Sequence, residues 1–292
     1  MPIDSWTKII FFFATICSTS SFEVTPIYHS RCPASKTFRL MTATSSLFEK
    51  EEDHIVNQAE AFDMMAPMFS RSDGLPDDTA AVVNHIAVTF LREVVECRRK
   101  GAAERGEEVP TRFRVLDIGC GAGVLFRFLL NEANSLGINL HITGVDVSEK
   151  MIDFGKGHAI NVLGDVGNQH SIECFADDFI KHVNGREGTF DGAIANSCFA
   201  NFFDINASIK AMNDGVCEDG IVCVAHPVGS EFVEGLHRLN PKVTPHLMPT
   251  ESEWEDLTSE HPLQKINFHE TLEWNKQALP LYYVSSVKKG SS

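Results

Sequence analysis

The stretch VLDIGCGAGVLFRFLL, residues 115–130, decides the fold. An apolar run leads into Asp117-Ile-Gly119-Cys120-Gly121-Ala-Gly123 and passes straight into a helical pattern. Glycine accepts positive φ and lets a ligand approach the backbone. A helix start offers unpaired N–H groups and positive potential. Strand, glycine turn and helix, in that order, make a nucleotide-type binding turn of an open α/β sheet. The spacing narrows the ligand. A dinucleotide fingerprint, G-x-G-x-x-G, needs glycine at position 124, where Val124 stands. No G-x-x-x-x-G-K-[ST] occurs, so a triphosphate loop is excluded.

Working outward, strand-like and helix-like patterns alternate from Phe113 onward. The strand candidates are RVLDIG, LHITGVDV, IECFA, FDGAIAN and GIVCVAH. The helix candidates between them are VLFRFLLNEANSLG, SEKMIDFGKGHAINVLG, DDFIKHVN and INASIKAMNDG. Strict alternation predicts a parallel sheet covered on both faces. The tail differs: QKINFHETLEW and ALPLYYVSSVKK are two strand candidates with no helix between them, which predicts an antiparallel hairpin closing the sheet edge. Toward the N-terminus, EEDHIVNQAEAFDMMAPMF reads as a helix that breaks at Pro67. Asp77 or Asp78 is placed to cap a second helix carrying Val82, Val83, Ile86, Phe90, Leu91, Val94 and Val95 on one face. Residues 98–110, RRKGAAERGEEVP, lack apolar periodicity and read as a solvated linker.

The chain has 292 residues, 25 basic and 40 acidic, for a net charge of −15. Such a balance argues against duplex nucleic acid, whose binders show a basic field, and against anionic membrane surfaces. No apolar run approaches the roughly 20 residues that cross a bilayer. A small-molecule partner is expected. The eight cysteines contain no C-x-x-C pair and sit mostly in apolar segments, as buried free thiols do; the spacing does not suit a metal site.

Residues 1–49 read as a leader outside the fold. Lys8 precedes the apolar run IIFFFATIC and the small residues STSS, the layout of a signal segment. A Ser- and Thr-rich basic stretch follows Phe22, with Arg31, Lys36 and Arg39. The two-part layout resembles the plastid leaders of algae with complex plastids; ordinary secretion is the alternative. Residues 50–110 are then an N-terminal helical cap and linker, and residues 111–292 the binding domain.

The pattern D-x-G-x-G-x-G at Asp117–Gly123 resembles motif I of class I S-adenosylmethionine (SAM)-dependent methyltransferases. The resemblance covers about residues 113–287 and implies a Rossmann-like seven-stranded α/β fold with an antiparallel last strand. It implies SAM as cofactor, S-adenosylhomocysteine (SAH) as product and no metal. Asp117, Gly119, Cys120, Gly121 and Gly123 would then form the cofactor turn. Asp117 would favour the cationic end of SAM, and the helix start its carboxylate. Asp146, at the end of the second strand, matches the family's acid for the ribose hydroxyls, with Val147 and Met151 flanking adenine. Asp177, with Asp178 beside it, matches the position that reads the adenine amino group. Asn196 and Phe199, at the end of the fourth strand, would lie beside the methyl donor. Structural alternatives exist: Asp146 as a helix N-terminal acid, and Asp177 as the cap of DDFIKHVN.

The acceptor side is less legible. Base-amino methyltransferases carry N/D-P-P-Y/F at the fourth strand, where this chain has Asn196-Ser-Cys-Phe199. With the acidic charge, that turns the expectation away from DNA or RNA and toward a small hydrophobic or aromatic metabolite. His226 ends the fifth strand and is the candidate general base, with an ordinary imidazole pKa near 6.5; a histidine hydrogen-bonded at a strand end is the alternative. The segment HRLNPKVTPHLMP, with His237 and His246, is either an acceptor lid or a surface crossover. Met64, Met65, Met68 and Phe69 resemble the acceptor cover of quinone-type enzymes, so a quinone-ring C-methyltransferase is a second reading. A SAM-binding subunit or sensor without catalysis is a third. A nicotinamide-dependent reductase is weaker, because Tyr282 and Tyr283 lack a lysine four residues on.

Overall fold

The apolar runs assemble into one sheet in a computed structural model that describes residues 50–69, 75–166 and 169–290. The expected leader, residues 1–49, lies outside the described residues, as do the side chains of Met68 and Phe69. The strands are β1 (Arg112–Ile118), β2 (Asn139–Asp146), β3 (Ser171–Ala176), β4 (Phe190–Asn196), β5 (Val216–His226), β6 (Leu263–Trp274) and β7 (Gln277–Lys288). Their order across the sheet is β3-β2-β1-β4-β5-β7-β6. Strands β1 to β5 run parallel, and β7 is antiparallel to both its neighbours. The seven-stranded expectation with a reversed last strand is met. The hairpin, however, does not end the sheet with its last strand: β7 inserts beside β5 and leaves β6 at the edge.

The helices are α1 (Glu51–Phe69), α2 (Asp77–Arg105), α3 (Phe126–Ser135), α4 (Glu149–Val166), α5 (Phe179–Val183), α6 (Ile205–Gly215), α7 (Gly229–Leu239) and α8 (Glu251–Thr258). Because side chains alternate across a strand, a fully buried strand feeds two cores. In β5, Ile221, Cys223 and Ala225 join the core under α2, α3 and α4. Val222 and Val224 join the core under α5, α6 and α8. That is why the central strands read as continuous apolar runs.

Three expectations about the N-terminal and linking segments are corrected. Helix α1 continues through Pro67 to Phe69, so the proline falls in its last turn and does not break it. The N-cap of α2 is Pro76, and Asp77 and Asp78 lie in its first turn instead, where their charge suits the helix dipole. The supposed linker is helical as far as Arg105. Arg98 donates to Asp191 Oδ1 at 2.7 Å, Arg105 pairs with Asp219, and Gly101 and Ala102 are buried. A left-handed Gly106 ends the helix, the usual glycine stop. Helix α2 is thus a layer of the main core and not part of a cap. Helix α8 was not foreseen, although its capping box, Thr250 with Glu253, is written in the sequence as T-x-x-E. Among the described residues, no helix is long and apolar enough to cross a membrane.

Candidate active site

The carboxyl ends of β1, β2, β4 and β5 meet at the glycine turn, the position where open α/β sheets bind ligands. Gly119 has φ +62°. A Cβ on it would lie 2.6 Å from the Cβ of Cys198, so only a hydrogen there lets the ends of β1 and β4 come together. Gly121 has φ +52°, and a Cβ on it would meet only Met151 Sδ, at an ordinary 3.9 Å; its need is conformational, because that turn aims its N–H at Asp146 Oδ2, 2.9 Å away. Gly119→Ala should lower thermal stability by about 2–4 kcal/mol, from the wrong φ and the clash with Cys198 together. Calorimetric unfolding checks this, and a wild-type midpoint would contradict the close approach.

Asp117, on β1, is 2% exposed. Among the described residues, its Oδ2 and the Oδ1 of Asn196 are buried without a hydrogen-bond partner. Burial, with the charge of Asp146 second, pushes the Asp117 carboxyl up to about 8. A buried carboxylate without a partner is unfavourable, and a cation placed against it would satisfy it. That chemistry fits the ammonium of SAM. Helix α3 begins without a side-chain cap; the N–H groups of Cys120, Gly121, Gly123 and Phe126 are already bonded to Val145 O, Asp146 Oδ2, Cys120 O and Gly123 O, so a carboxylate there would draw on the helix potential and the remaining N–H groups of the turn.

Asp146 closes β2. Its Oδ1 accepts from Ser148 N–H and its Oδ2 from Gly121 N–H, both at 2.9 Å. Burial raises its pKa, and these two bonds oppose the rise. Each oxygen keeps a further lone pair for a ribose hydroxyl. Val147 is half-buried next to it, and Met151 is buried, with its N–H on Ser148 Oγ at 3.1 Å. Asp177 follows β3, donating its N–H to Asp146 O at 3.0 Å. The capping role belongs to its neighbour: Asp178 Oδ1 accepts from Lys181 N–H at 3.0 Å and starts α5. Asp178 thus caps the helix through one carboxylate oxygen, and Asp177 is half-exposed at the strand end.

Two acceptor-side expectations change. Phe199 is 1% exposed and turns into the second core, edge-on to Phe202 and Trp254. It opens the 3-10 turn Phe199–Asn201. His226 does end β5 at the cleft, but it is buried and its Nδ1 accepts from Val228 N–H at 3.2 Å. Burial lowers its pKa to about 4. The ring is then neutral with its proton on Nε2, a donor tautomer. The ordinary pKa on which a general base rested is absent. Cys120 is buried and Cys198 half-buried, and desolvation holds both thiols far above the usual thiol range; Cys198 donates to Ile118 O at 3.1 Å. Tyr282 and Tyr283 are core residues, bonded to Pro249 O and Glu93.

The segment after α7 joins the site instead of crossing the surface. Val243, Thr244, Met248 and Pro249 are buried. His246 N–H donates to Ala200 O at 3.1 Å, and His237 Nδ1 lies 2.8 Å from Thr244 O. Sequence reasoning missed the residues of α1 that reach the site: His54, 2.7 Å from Asn201 O, Gln58, 2.5 Å from Val243 O, and Asp63, 2.6 Å from Ser148 Oγ. Met65 is buried but Met64 is exposed, so only one of the expected methionine pair faces inward.

A parallel sheet reversed at its last strand, an acid before the glycine turn and a second acid after β2 define the class I SAM-dependent methyltransferases. The chain belongs to that family: the model described as "Methyltransferase domain" matches residues 111–281. Among solved structures, magnesium protoporphyrin IX methyltransferase from Synechocystis PCC 6803, with SAH bound, is similar at 16% identity. That match covers 81% of this chain and 100% of the other, with a TM-score of 0.52. A SAM-dependent methyltransferase from Methanosarcina mazei is similar at 15% identity, covering 62% of this chain and 94% of the other, with a TM-score of 0.47. Among curated proteins, none matches this sequence.

Proposed function

We propose that this chain transfers the methyl group of SAM to a small hydrophobic or aromatic metabolite. The observation that carries the reading is the enclosure of the strand ends. Asp117, Asn196 and His226 are each no more than 6% exposed, and Gln58 of α1 bonds the segment after α7 at Val243 O. A site so closed favours a small acceptor over a polymer, and the net charge of −15 opposes nucleic acid. Phe203, 5.7 Å from the His54 ring, and Phe232, 5.5 Å from the His226 ring, give the acceptor side an aromatic character.

When bound, SAM supplies an electrophilic methyl group for in-line displacement. Asp117 holds the cationic end, and Asp146 the ribose. The enclosure excludes water, and fixed alignment is the main catalytic contribution in such a transfer. His226 offers an N–H and not a lone pair, which suits an acceptor that presents an oxygen lone pair near it.

The test is calorimetric titration of the full chain with SAM, SAH and NADPH, then acceptor screening by methyl label. Micromolar binding of the SAM pair and none of NADPH is expected, with label recovered in a small organic product. The panel should include quinones, phenols and the magnesium protoporphyrin IX for which the Synechocystis neighbour is named. Label appearing in protein or RNA would overturn the acceptor class. Tight SAM binding with no transfer to any acceptor would favour the non-catalytic reading.

A further inference from the structure

Helix α1 is tied at three points to the carboxyl side of the sheet. His54 reaches Asn201 O, just after β4. Gln58 reaches Val243 O. Asp63 Oδ1 accepts from Ser148 Oγ at 2.6 Å and from Lys150 N–H at 3.2 Å, just after β2. Strand β1 lies between β4 and β2. The distance is consistent: His54 to Asp63 spans about 14 Å of helix at 1.5 Å per residue. Two strand spacings take up about 10 Å of that. Helix α1 therefore crosses over the end of β1, where Asp117 sits buried.

The Asp63 contact is more than an anchor. Ser148 Oγ donates to Asp63 and accepts from Met151 N–H at 3.1 Å. Ser148 N–H holds Asp146 Oδ1, and Asp146 Oδ2 holds Gly121 N–H. A continuous chain of hydrogen bonds thus runs from α1 through Ser148 and Asp146 to the glycine turn. Ser148 is completely buried, so its hydroxyl has a strong need for the Asp63 acceptor.

We infer that Asp63 is a positioning residue for the cofactor site, locking α1 across the end of β1 through the Ser148 hydroxyl and so fixing Asp146. The inference rests on the cofactor reading above. With the lock closed, a molecule at Asp117 cannot leave past α1; with it open, the acid and the turn lose their common brace. Nothing is transferred in this step: one hydrogen bond breaks and re-forms.

The experiment uses the full chain and SAH as probe. Asp63→Ala should weaken SAH binding about tenfold, the value of one hydrogen bond to a charged group, and raise its dissociation rate by a similar factor. Asp63→Asn keeps an acceptor oxygen and should restore both to within about threefold. Ser148→Ala serves as the independent second variant. The Asp63→Ala, Ser148→Ala double variant should lose clearly less than the sum of the two singles, because both remove the Asp63–Ser148 bond. Amide exchange across α1 should speed up in Asp63→Ala even without SAH. Wild-type affinity and dissociation rate in a folded Asp63→Ala protein, or additive losses in the double variant, would overturn the inference while leaving the cofactor assignment standing. A wild-type protein that binds neither SAM nor SAH would overturn both.

Discussion

Asp146→Ala is expected to weaken SAM binding by a hundredfold or more while the protein still folds. The carboxylate holds Gly121 N–H and Ser148 N–H at 2.9 Å, and on the proposed reading its remaining lone pairs take the ribose hydroxyls. Losing two hydrogen bonds from an ionised acceptor to a ligand costs roughly 3–5 kcal/mol, which is about two to three powers of ten in affinity. The turn would also lose the acceptor for its Gly121 N–H, adding to the loss. The fold should survive, because Asp146 stands at a strand end and its burial already raises its pKa, so removing it relieves a desolvated acid. Calorimetry with SAM, beside circular dichroism of the variant, measures both halves. Unchanged binding in the folded variant would sink the assignment of Asp146 to the ribose.

Asp117→Asn should move stability and binding in opposite directions. The buried carboxyl has its pKa raised to about 8, against an ordinary value near 3.9. Between those limits the native state keeps a proton that the unfolded chain has lost. A raised acid therefore favours the fold fully below about pH 4, and the benefit is lost as pH rises through 8. Asparagine has the same shape and no charge to bury. The variant should match wild type near pH 4 and gain on it steadily toward pH 8, where the difference reaches on the order of a few kcal/mol. SAM affinity should fall at least a hundredfold near pH 8, where the wild-type carboxyl ionises readily and the amide cannot answer the ammonium, and the gap should close toward pH 4, where both side chains are neutral. Wild-type binding near pH 7 should release protons, visible as a dependence of the calorimetric heat on buffer, and the variant should show none. Equal melting temperatures at pH 8 would refute the raised pKa.

The parts of this site that lay open in the sequence are those set by local backbone demands. Positive φ at Gly119, Gly121 and Gly123 requires glycine wherever the turn occurs, so the turn could be read from three letters. Strand β4 was legible to the residue, Phe190–Asn196, because a strand buried on both faces is a short apolar run between turn residues. Asp117 and Asp146 stood out because they fall before the glycine turn and at the end of the second strand, the positions that the family resemblance assigns to acids. The rest depended on partners distant in the chain. Residues 98–105 look solvated by composition, yet Arg98 and Arg105 bond to Asp191 and Asp219, about a hundred positions away. Phe199 belongs to a motif that suggests the cleft, yet Trp254 supplies a better contact below it.

Sequence alone thus determined the class of fold, the glycine turn and the two acids at the strand ends beside it, since each follows from residue spacing and backbone torsion. Tertiary structure decided the placement of β7 inside the sheet, the donor tautomer of His226 and the path of α1 over Asp117. Those depend on which groups meet across long stretches of chain, and a neutral or ionised side chain is chosen by what surrounds it, not by its neighbours in sequence.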